Sequence, residues 1–307
     1  MRINGEEIME ILLTVGLIIL VLGVVLFAFM ARFAVKPRVH TLEETYQYLV
    51  DMPIMDGEEV KIEQEHTIKS FDGYELYVGF VPGNPESKHY MVLSHGYTSS
   101  RYGMYKYAML YRRMGFNCVI YDQRGHGANK PTVTSFGYKE ARDLMAVIAD
   151  TYERYGDDIR LGLHGESMGS GTQIEALKYH PKVDFIVNGC GYGDILNVLK
   201  WKCKQTFHMP GWTAEIASVF AKFLFGFSFH EVRPIDNLKD NTIPICFIHG
   251  GADDFVHNWH SKKMYEATQG YKEIHIFDGA GHAQCIDVDV ERYERVLREF
   301  VGKVYGE

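Results

Sequence analysis

The residues best suited to chemistry form one short run, LGLHGESMGSG, at positions 161–171. Its centre places Ser167 in the pattern Gly-x-Ser-x-Gly, in which a serine occupies a sharp turn between a strand and a helix. A glycine is expected on each side because a Cβ there would crowd the adjoining strand and helix. The helix that follows would direct the positive end of its dipole toward any oxyanion formed at Ser167. The run predicts a nucleophilic serine, although an ordinary glycine-rich turn has the same pattern.

A serine hydroxyl becomes a good nucleophile only when a base accepts its proton and an acid orients that base. After a turn of this kind the three residues follow along the chain as serine, acid and histidine. His282 is the predicted base, because it lies in a glycine-rich loop between the last predicted strand and the C-terminal helix. Asp253 is the predicted acid, because it follows the strand predicted at residues 243–249 and lies at the same edge of the sheet.

Three other aspartates compete with Asp253 for the acid role. Asp254 is its immediate neighbour, and spacing alone barely separates the two. Asp194 follows the preceding predicted strand and is another candidate position for the acid. Asp278 is too near His282 in sequence to come easily around the far side of the imidazole.

Acyl transfer also needs hydrogen-bond donors for the negative charge that develops on the carbonyl oxygen. The backbone N–H of Met168, directly after the nucleophile, is one predicted donor. The backbone N–H of Tyr97, in the loop after the third predicted strand, is the other. The sequence thus predicts an oxyanion hole built from main-chain groups, in which the side chains matter little.

A second polar run, DQRGHG at positions 122–127, follows the next predicted strand. We interpret it as structural, with Asp122 and Arg124 bracing loops through hydrogen bonds, and we disfavour a catalytic role for His126. The 14 histidines show no spacing typical of metal ligands. The sequence therefore predicts neither a metal nor a cofactor.

The pattern around these residues changes from alternating strands to strands that alternate with helices. Residues 63–70 and 74–81 read as a hairpin, and residues 82–87 read as a loop. Further strands are predicted near residues 90–94, 117–121, 160–164, 185–188, 245–249 and 272–277. Helices are predicted near residues 102–114, 138–155, 167–179, 258–268 and 287–304. An antiparallel start, a mainly parallel sheet and a serine turn in its middle indicate the α/β-hydrolase fold.

One insertion interrupts this alternation, at about residues 191–241, and it is too long for an ordinary connection. It is rich in phenylalanine and also holds Trp201 and Trp212. Most of these side chains are expected to pack a helical cap onto the sheet domain. We expect two or three of them to line an apolar pocket above Ser167.

An apolar segment precedes the predicted sheet. Residues 11–31 carry no charged side chain and are long enough to cross a bilayer as a helix. A core helix would show a polar face, and a signal peptide would have a shorter apolar region, a basic start and a small-residue cleavage site. We therefore expect an uncleaved anchor in residues 1–40, a linker with a short helix in residues 41–61 and a catalytic domain in residues 62–307.

Charge and cysteine content bear on location and partners. Arg32, Lys36 and Arg38 follow the apolar segment, and the positive-inside rule then places the catalytic domain in the cytoplasm. Five cysteines without metal-type spacing are typical of a reducing compartment. The net charge of −8 and the lack of a basic stripe argue against nucleic acid as a partner. The expected partners are the membrane and a small hydrophobic ester.

The runs HGYTSS, DQRGHG, GESMG, HGGADDFV and GAGH follow one another along the chain. With them the chain resembles the α/β-hydrolase superfamily over roughly residues 62–304. Within the superfamily, the chain is similar to a bacterial branch of esterases, lysophospholipases and monoacylglycerol-lipase-like enzymes. That branch includes membrane-anchored examples and the cinnamoyl esterases. The resemblance implies that Asp253, in HG-x-x-D-x-x-V, is the acid, and it implies oxyanion roles for Tyr97 and Met168.

The chain departs from the commonest form of these motifs at two positions. Glu166 stands where histidine is frequent, and Ser170 stands where glycine is frequent. Neither change removes a catalytic group, so we expect a serine hydrolase that cleaves acyl or aryl esters, some of them lipid-derived, through an acyl-serine intermediate. The alternatives are a thioesterase or acyltransferase with the same triad, and an inactive membrane-tethered binding module.

Overall fold

A computed structural model describes residues 4–55 and 57–306 of the chain. Its centre is one sheet of eight strands in the order β1-β2-β4-β3-β5-β6-β7-β8. The strands are β1 (Glu63–Lys69), β2 (Glu75–Val81), β3 (His89–Ser94), β4 (Asn117–Tyr121), β5 (Arg160–Glu166), β6 (Phe185–Gly189), β7 (Ile245–Gly250) and β8 (Lys272–Phe277). Strand β2 runs antiparallel to β1 and β4, whereas the other neighbouring pairs are parallel.

Helices cover both faces of the sheet. The α-helices of the described residues are α1 (Gly5–Val35), α2 (Leu42–Val50), α3 (Tyr105–Arg113), α4 (Glu140–Tyr155), α5 (Met168–Ala176), α6 (Ile195–Phe207), α7 (Trp212–Phe225), α8 (Trp259–Ala267), α9 (Cys285–Val288) and α10 (Val290–Tyr305). Helices α3 and α10 share a buried core with one face of the sheet, and α4, α5 and α8 share a core with the other. The inner strands β4, β6 and β7 are consequently buried along their whole length, whereas the edge strand β8 is only partly buried.

Helix α10 shows how the sequence builds these layers. Its buried residues Tyr293, Leu297 and Phe300 recur every three or four positions and so lie on one face. The side chain of Asp289 accepts a hydrogen bond from the backbone N–H of Arg292 and caps the helix. The same residue separates α10 from α9, so the single helix predicted at residues 287–304 is in fact two.

A third apolar core lies above the sheet, at the carboxyl ends of the parallel strands. The connection from β6 to β7 contains α6 and α7, whose buried residues join those of the loops around Phe136 and Val256. Asp194 caps α6 by accepting a hydrogen bond from the backbone N–H of Leu196. These helices form the cap over the sheet.

Helix α1 is longer than the apolar segment and ends against this cap. Its capping box at Asn4 and Glu7 begins the helix, and its most apolar stretch has a mean hydropathy of 3.1 with no residue buried inside the protein. That length and composition suit a membrane span or a signal sequence. Its last turns differ, because Ala31 and Val35 are fully buried in the core of the cap.

Candidate active site

The turn between β5 and α5 holds Ser167 in an unusual backbone conformation. Ser167 has φ +52° and ψ −109°, a strained region for a residue with a side chain. Its backbone N–H donates a hydrogen bond to the carbonyl oxygen of Gly189 on β6, at 2.8 Å. This bond ties the strained residue to the sheet, so that the serine lies at the strand end where α5 begins.

The glycine on either side of the turn is required by close backbone packing. A Cβ at Gly165 would overlap the backbone of Ser170, and a Cβ at Gly169 would overlap the carbonyl oxygen of Ser94 on β3. The side chain of Ser170 supports the same turn. The Ser170 hydroxyl lies 2.7 Å from the carbonyl oxygen of Gly165 and 2.9 Å from that of Gly189.

Ser167, His282 and Asp253 form a continuous chain of hydrogen bonds. The Nε2 of His282 lies 2.8 Å from Ser167 Oγ, and its Nδ1 lies 2.7 Å from Asp253 Oδ2. A carboxylate only accepts hydrogen bonds, so Nδ1 carries the proton and Nε2 is free to accept one from the serine. The arrangement has the geometry of a nucleophile, a general base and an orienting acid.

Asp253 is held as an ionised carboxylate. Its side chain is fully buried, and its Oδ1 accepts hydrogen bonds from the backbone N–H groups of Phe255 and Val256. Burial by itself would raise the pKa of Asp253, but hydrogen bonds from His249 and His282 outweigh it and hold the pKa below the ordinary value. The negative charge that orients His282 therefore persists into acid.

His249 is a partner of the acid that sequence reasoning missed. Its Nε2 lies 3.1 Å from Asp253 Oδ2 and 2.7 Å from the carbonyl oxygen of Val256, and its Nδ1 lies 2.6 Å from the hydroxyl of Ser261. Both groups near Nε2 are acceptors, so Nε2 donates to them and Nδ1 accepts from Ser261. Its position at the end of β7, four residues before Asp253, was the available signal.

The competing acids lie elsewhere. Asp254 is exposed, and its carbonyl oxygen accepts a hydrogen bond from the indole of Trp201. Asp194 caps α6 and pairs with Arg233 at 2.7 Å, and Asp278 is exposed. Asp253 is buried and Asp254 is exposed. The sequence does not reveal this difference between two adjacent aspartates.

The DQRGHG run braces the loops beside the site. Asp122 accepts hydrogen bonds from the backbone N–H and the guanidinium of Arg101, and Arg124 pairs with Asp143 and Asp72. The Nε2 of His126 accepts a hydrogen bond from the backbone N–H of Thr98. These contacts fix the loop that carries Tyr97.

A buried ion pair next to the nucleophile was also missed. Lys106 on α3 lies 2.8 Å from the carboxylate of Glu166, which also accepts a 2.7 Å hydrogen bond from Tyr107. Burial would lower the pKa of Lys106, but the charges of Glu166 and Asp287 outweigh it and raise the pKa. The lysine therefore stays charged and neutralises the residue that precedes Ser167.

Ser167 opens into an apolar cavity of about 330 Å³. Tyr97 and Met168 lie on its wall, and so do residues of α6, α7 and the end of α1. Of the described residues that line it, Lys202 alone carries a charge. A cavity of this size and lining suits a small hydrophobic ligand.

Cys190 lies next to the triad. Its Sγ, an oxygen of Asp253 and a ring nitrogen of His282 lie within 4.8 Å of one another, a grouping of potential metal ligands. Burial raises the pKa of the Cys190 thiol well above its ordinary value, which disfavours the thiolate that binds metals. The carboxylate and the imidazole already bond to each other directly, so this grouping fits a metal poorly.

The fold has counterparts among known proteins. The family model described as serine aminopeptidase, S33, matches residues 85–223. The uncharacterized protein YqkD of Bacillus subtilis (strain 168) is 27% identical over 240 residues, which cover 77% of this chain and 78% of that protein. The Pyrococcus furiosus esterase Pf2001 superposes with a TM-score of 0.69 at 21% identity, over 88% of this chain and 98% of that one. The Pyrococcus horikoshii acylaminoacyl peptidase superposes with a TM-score of 0.63 at 18% identity, over 82% of this chain and 43% of that one.

The chain thus has the α/β-hydrolase fold, as its motifs predicted, and it is similar to members of that superfamily. It is a hydrolase of the α/β fold. The strand order, the serine turn and the helical connection between β6 and β7 all agree with that fold.

Proposed function

We propose that the protein hydrolyses carboxylic esters of hydrophobic acids through an acyl-serine intermediate. The observation that carries this proposal is the hydrogen-bond chain from Ser167 through His282 to Asp253, which opens into an apolar cavity. Ser167 Oγ attacks the ester carbonyl carbon while His282 Nε2 takes its proton. The imidazolium then gives that proton to the leaving alcohol. Water, deprotonated by His282, releases the acid and restores the serine.

The oxyanion of each tetrahedral intermediate is held by the backbone N–H groups of Tyr97 and Met168. Both residues line the cavity beside Ser167, and Met168 is the first residue of α5. Neither N–H donates to another backbone or side-chain acceptor within residues 4–55 and 57–306. Two free donors, one of them at the start of α5, suit a developing negative charge.

The charge of the cavity favours an ester over a peptide with a free amino terminus. An aminopeptidase must hold the positive charge of its substrate, and the charged residue on the described cavity wall, Lys202, is itself positive. Lys202 Nζ lies 3.8 Å from the centre of the Phe255 ring, which in turn packs against His282. A neutral or anionic ester therefore fits the site better.

The test is a panel of p-nitrophenyl esters and thioesters of increasing acyl length, given to the purified full chain. Ester hydrolysis that Ser167→Ala abolishes without a change in melting temperature is the expected result. His275→Ala alters a histidine of the edge strand β8 that bonds to Glu273, so it is the matched control for His282→Ala and should retain activity. Cleavage of thioesters alone, or of neither class, would contradict the proposal.

We also infer that α1 anchors the chain in a membrane with the catalytic domain in the cytoplasm. The apolar stretch of α1 is exposed, and Arg32, Lys36 and Arg38 follow it. Cleavage as a signal sequence would remove Ala31 and Val35 from the core of the cap, which favours retention. The full chain should resist extraction by alkaline carbonate, and protease should reach the catalytic domain from the cytoplasmic side alone. Extraction by carbonate or digestion from the other side would contradict this inference.

A further inference from the structure

We propose that α1 is both an anchor and one wall of the acyl-binding cavity, so that the substrate is an ester of a long unbranched acyl chain that resides in the bilayer. This inference rests on the ester hydrolysis proposed above. Five residues of α1 line the same cavity as Ser167, and they are Leu26, Phe29, Met30, Phe33 and Ala34. Counted from Leu26, the others follow three, four, seven and eight positions later, a spacing that puts all five on one face of the helix.

The end of α1 is fixed beside the catalytic serine. The hydroxyl of Tyr97 donates a 2.7 Å hydrogen bond to the carbonyl oxygen of Ala34. The backbone N–H of Thr134 donates a 2.8 Å hydrogen bond to the carbonyl oxygen of Val35. Both carbonyl groups belong to the last turn of α1, where no backbone N–H of the helix is available to donate to them. Because Tyr97 also supplies a proposed oxyanion donor, the anchor and the catalytic loop are joined through one residue.

The lining residues of α1 define a direction. From Ala34, next to Tyr97, to Leu26 is eight residues, or about 12 Å along the helix axis. Arg32 marks the polar end of the apolar segment, and Leu26 lies about 9 Å beyond it, inside that segment. An ester carbonyl at Ser167 would therefore extend its acyl chain along α1 toward the hydrocarbon core of the membrane.

The cap supports the same orientation. Helix α7 lies beside α1, and the ring of Phe27 packs near those of Trp212 and Phe220 at centroid distances of 6.4 and 6.2 Å. Away from this contact, α7 exposes Phe223 (85%) and Leu224 (53%). Large apolar side chains exposed next to a membrane-spanning helix are typical of a surface that enters the interface. The cavity, between α1 and the cap helices, thus lies against the lipid.

Three tryptophan variants of the full chain in phosphatidylcholine vesicles test the wall. Leu26→Trp narrows the far end of the cavity and Met30→Trp narrows its middle, whereas Val25, one position from Leu26, is not among the residues that line the cavity. We expect Leu26→Trp to lower kcat/KM for the p-nitrophenyl palmitate ester about tenfold or more, with butyrate hydrolysis retained. Met30→Trp should shift the preferred acyl length further down, and Val25→Trp should leave it unchanged. Identical length profiles for the Leu26 and Val25 variants would overturn the proposal.

A second measurement does not depend on ester turnover. An alkyl fluorophosphonate with a photoreactive diazirine at the end of its chain is attached to Ser167 and irradiated, and the crosslinked peptide is sequenced. Crosslinks to α1 between Leu26 and Met30 are expected from a long alkyl chain, and crosslinks nearer Phe33 from a shorter one. Crosslinks confined to α6 and α7 would overturn the proposal. If the crosslinks fall on α1 while no ester is cleaved, the proposed ester hydrolysis is contradicted and the role of α1 as a cavity wall is supported.

Discussion

The Nε2 of His282 lies 2.8 Å from the Oγ of Ser167, although 115 positions separate the two residues along the chain. Strand β5 ends directly before Ser167, and His282 lies in the loop that follows β8. Parallel strands end at the same edge of a sheet, so loops that are distant in sequence meet there. The proposed chemistry therefore depends on the register of the whole sheet.

The acid of the triad can be tested against its own neighbour. Asp253→Asn should lower kcat about 10⁴-fold with little change in KM, because the amide favours the wrong imidazole tautomer without touching the substrate. Asp254→Asn changes an exposed carboxylate one residue away and should alter kcat by less than about twofold. Steady-state kinetics on both variants show which aspartate is the acid of the triad. Equal losses, or a larger loss in the Asp254 variant, would contradict the assignment.

The pH dependence of stability follows from the depressed pKa of Asp253. A carboxyl whose pKa is lower in the folded state contributes stability above its ordinary value of 3.8 and loses that contribution as the pH falls through the folded value. Asp253→Asn removes this titration. Melting temperatures measured from about pH 5 to about pH 3 should therefore fall less steeply for the variant than for the parent chain. Parallel curves would show that Asp253 is not stabilised as a carboxylate.

The ion pair beside the nucleophile should matter for stability. Lys106→Met leaves Glu166 buried without its charge partner and should lower the free energy of unfolding by about 3–5 kcal/mol. The double variant Lys106→Met with Glu166→Gln removes both charges and should recover most of that loss. Chemical denaturation of the three proteins measures the coupling between the residues. A loss below about 1 kcal/mol in the single variant would mark the pair as screened by solvent.

The fold was predictable because its signals are local. Alternating and helical patterns located each strand of the sheet, and the order serine, acid, histidine singled out Ser167 and His282. The errors fall at element ends. The helix predicted at residues 102–114 begins as a 3₁₀ turn at Arg101–Met104, and Asp289 splits the C-terminal helix.

The partners around the triad were not predictable because they are defined only by three-dimensional contact. Lys106 and Glu166 are 60 positions apart in sequence, and nothing local marks either as buried. The packing of α1 against the cap could not be predicted from the sequence for another reason. Leu26 and Met30 line the cavity, but they have the same apolar chemistry as the exposed residues of α1. No periodicity in the sequence therefore distinguishes the two faces of the helix.

Every step of the proposed reaction requires that His282 activate Ser167. The most direct measurement is the rate at which a fluorophosphonate attaches to the protein, with the modified residue identified by peptide mass spectrometry. We expect a single adduct on Ser167 that forms at least about 10³-fold more slowly in His282→Ala, while His275→Ala labels at the parental rate. An adduct on another residue, or equal rates in the presence and absence of His282, would contradict it.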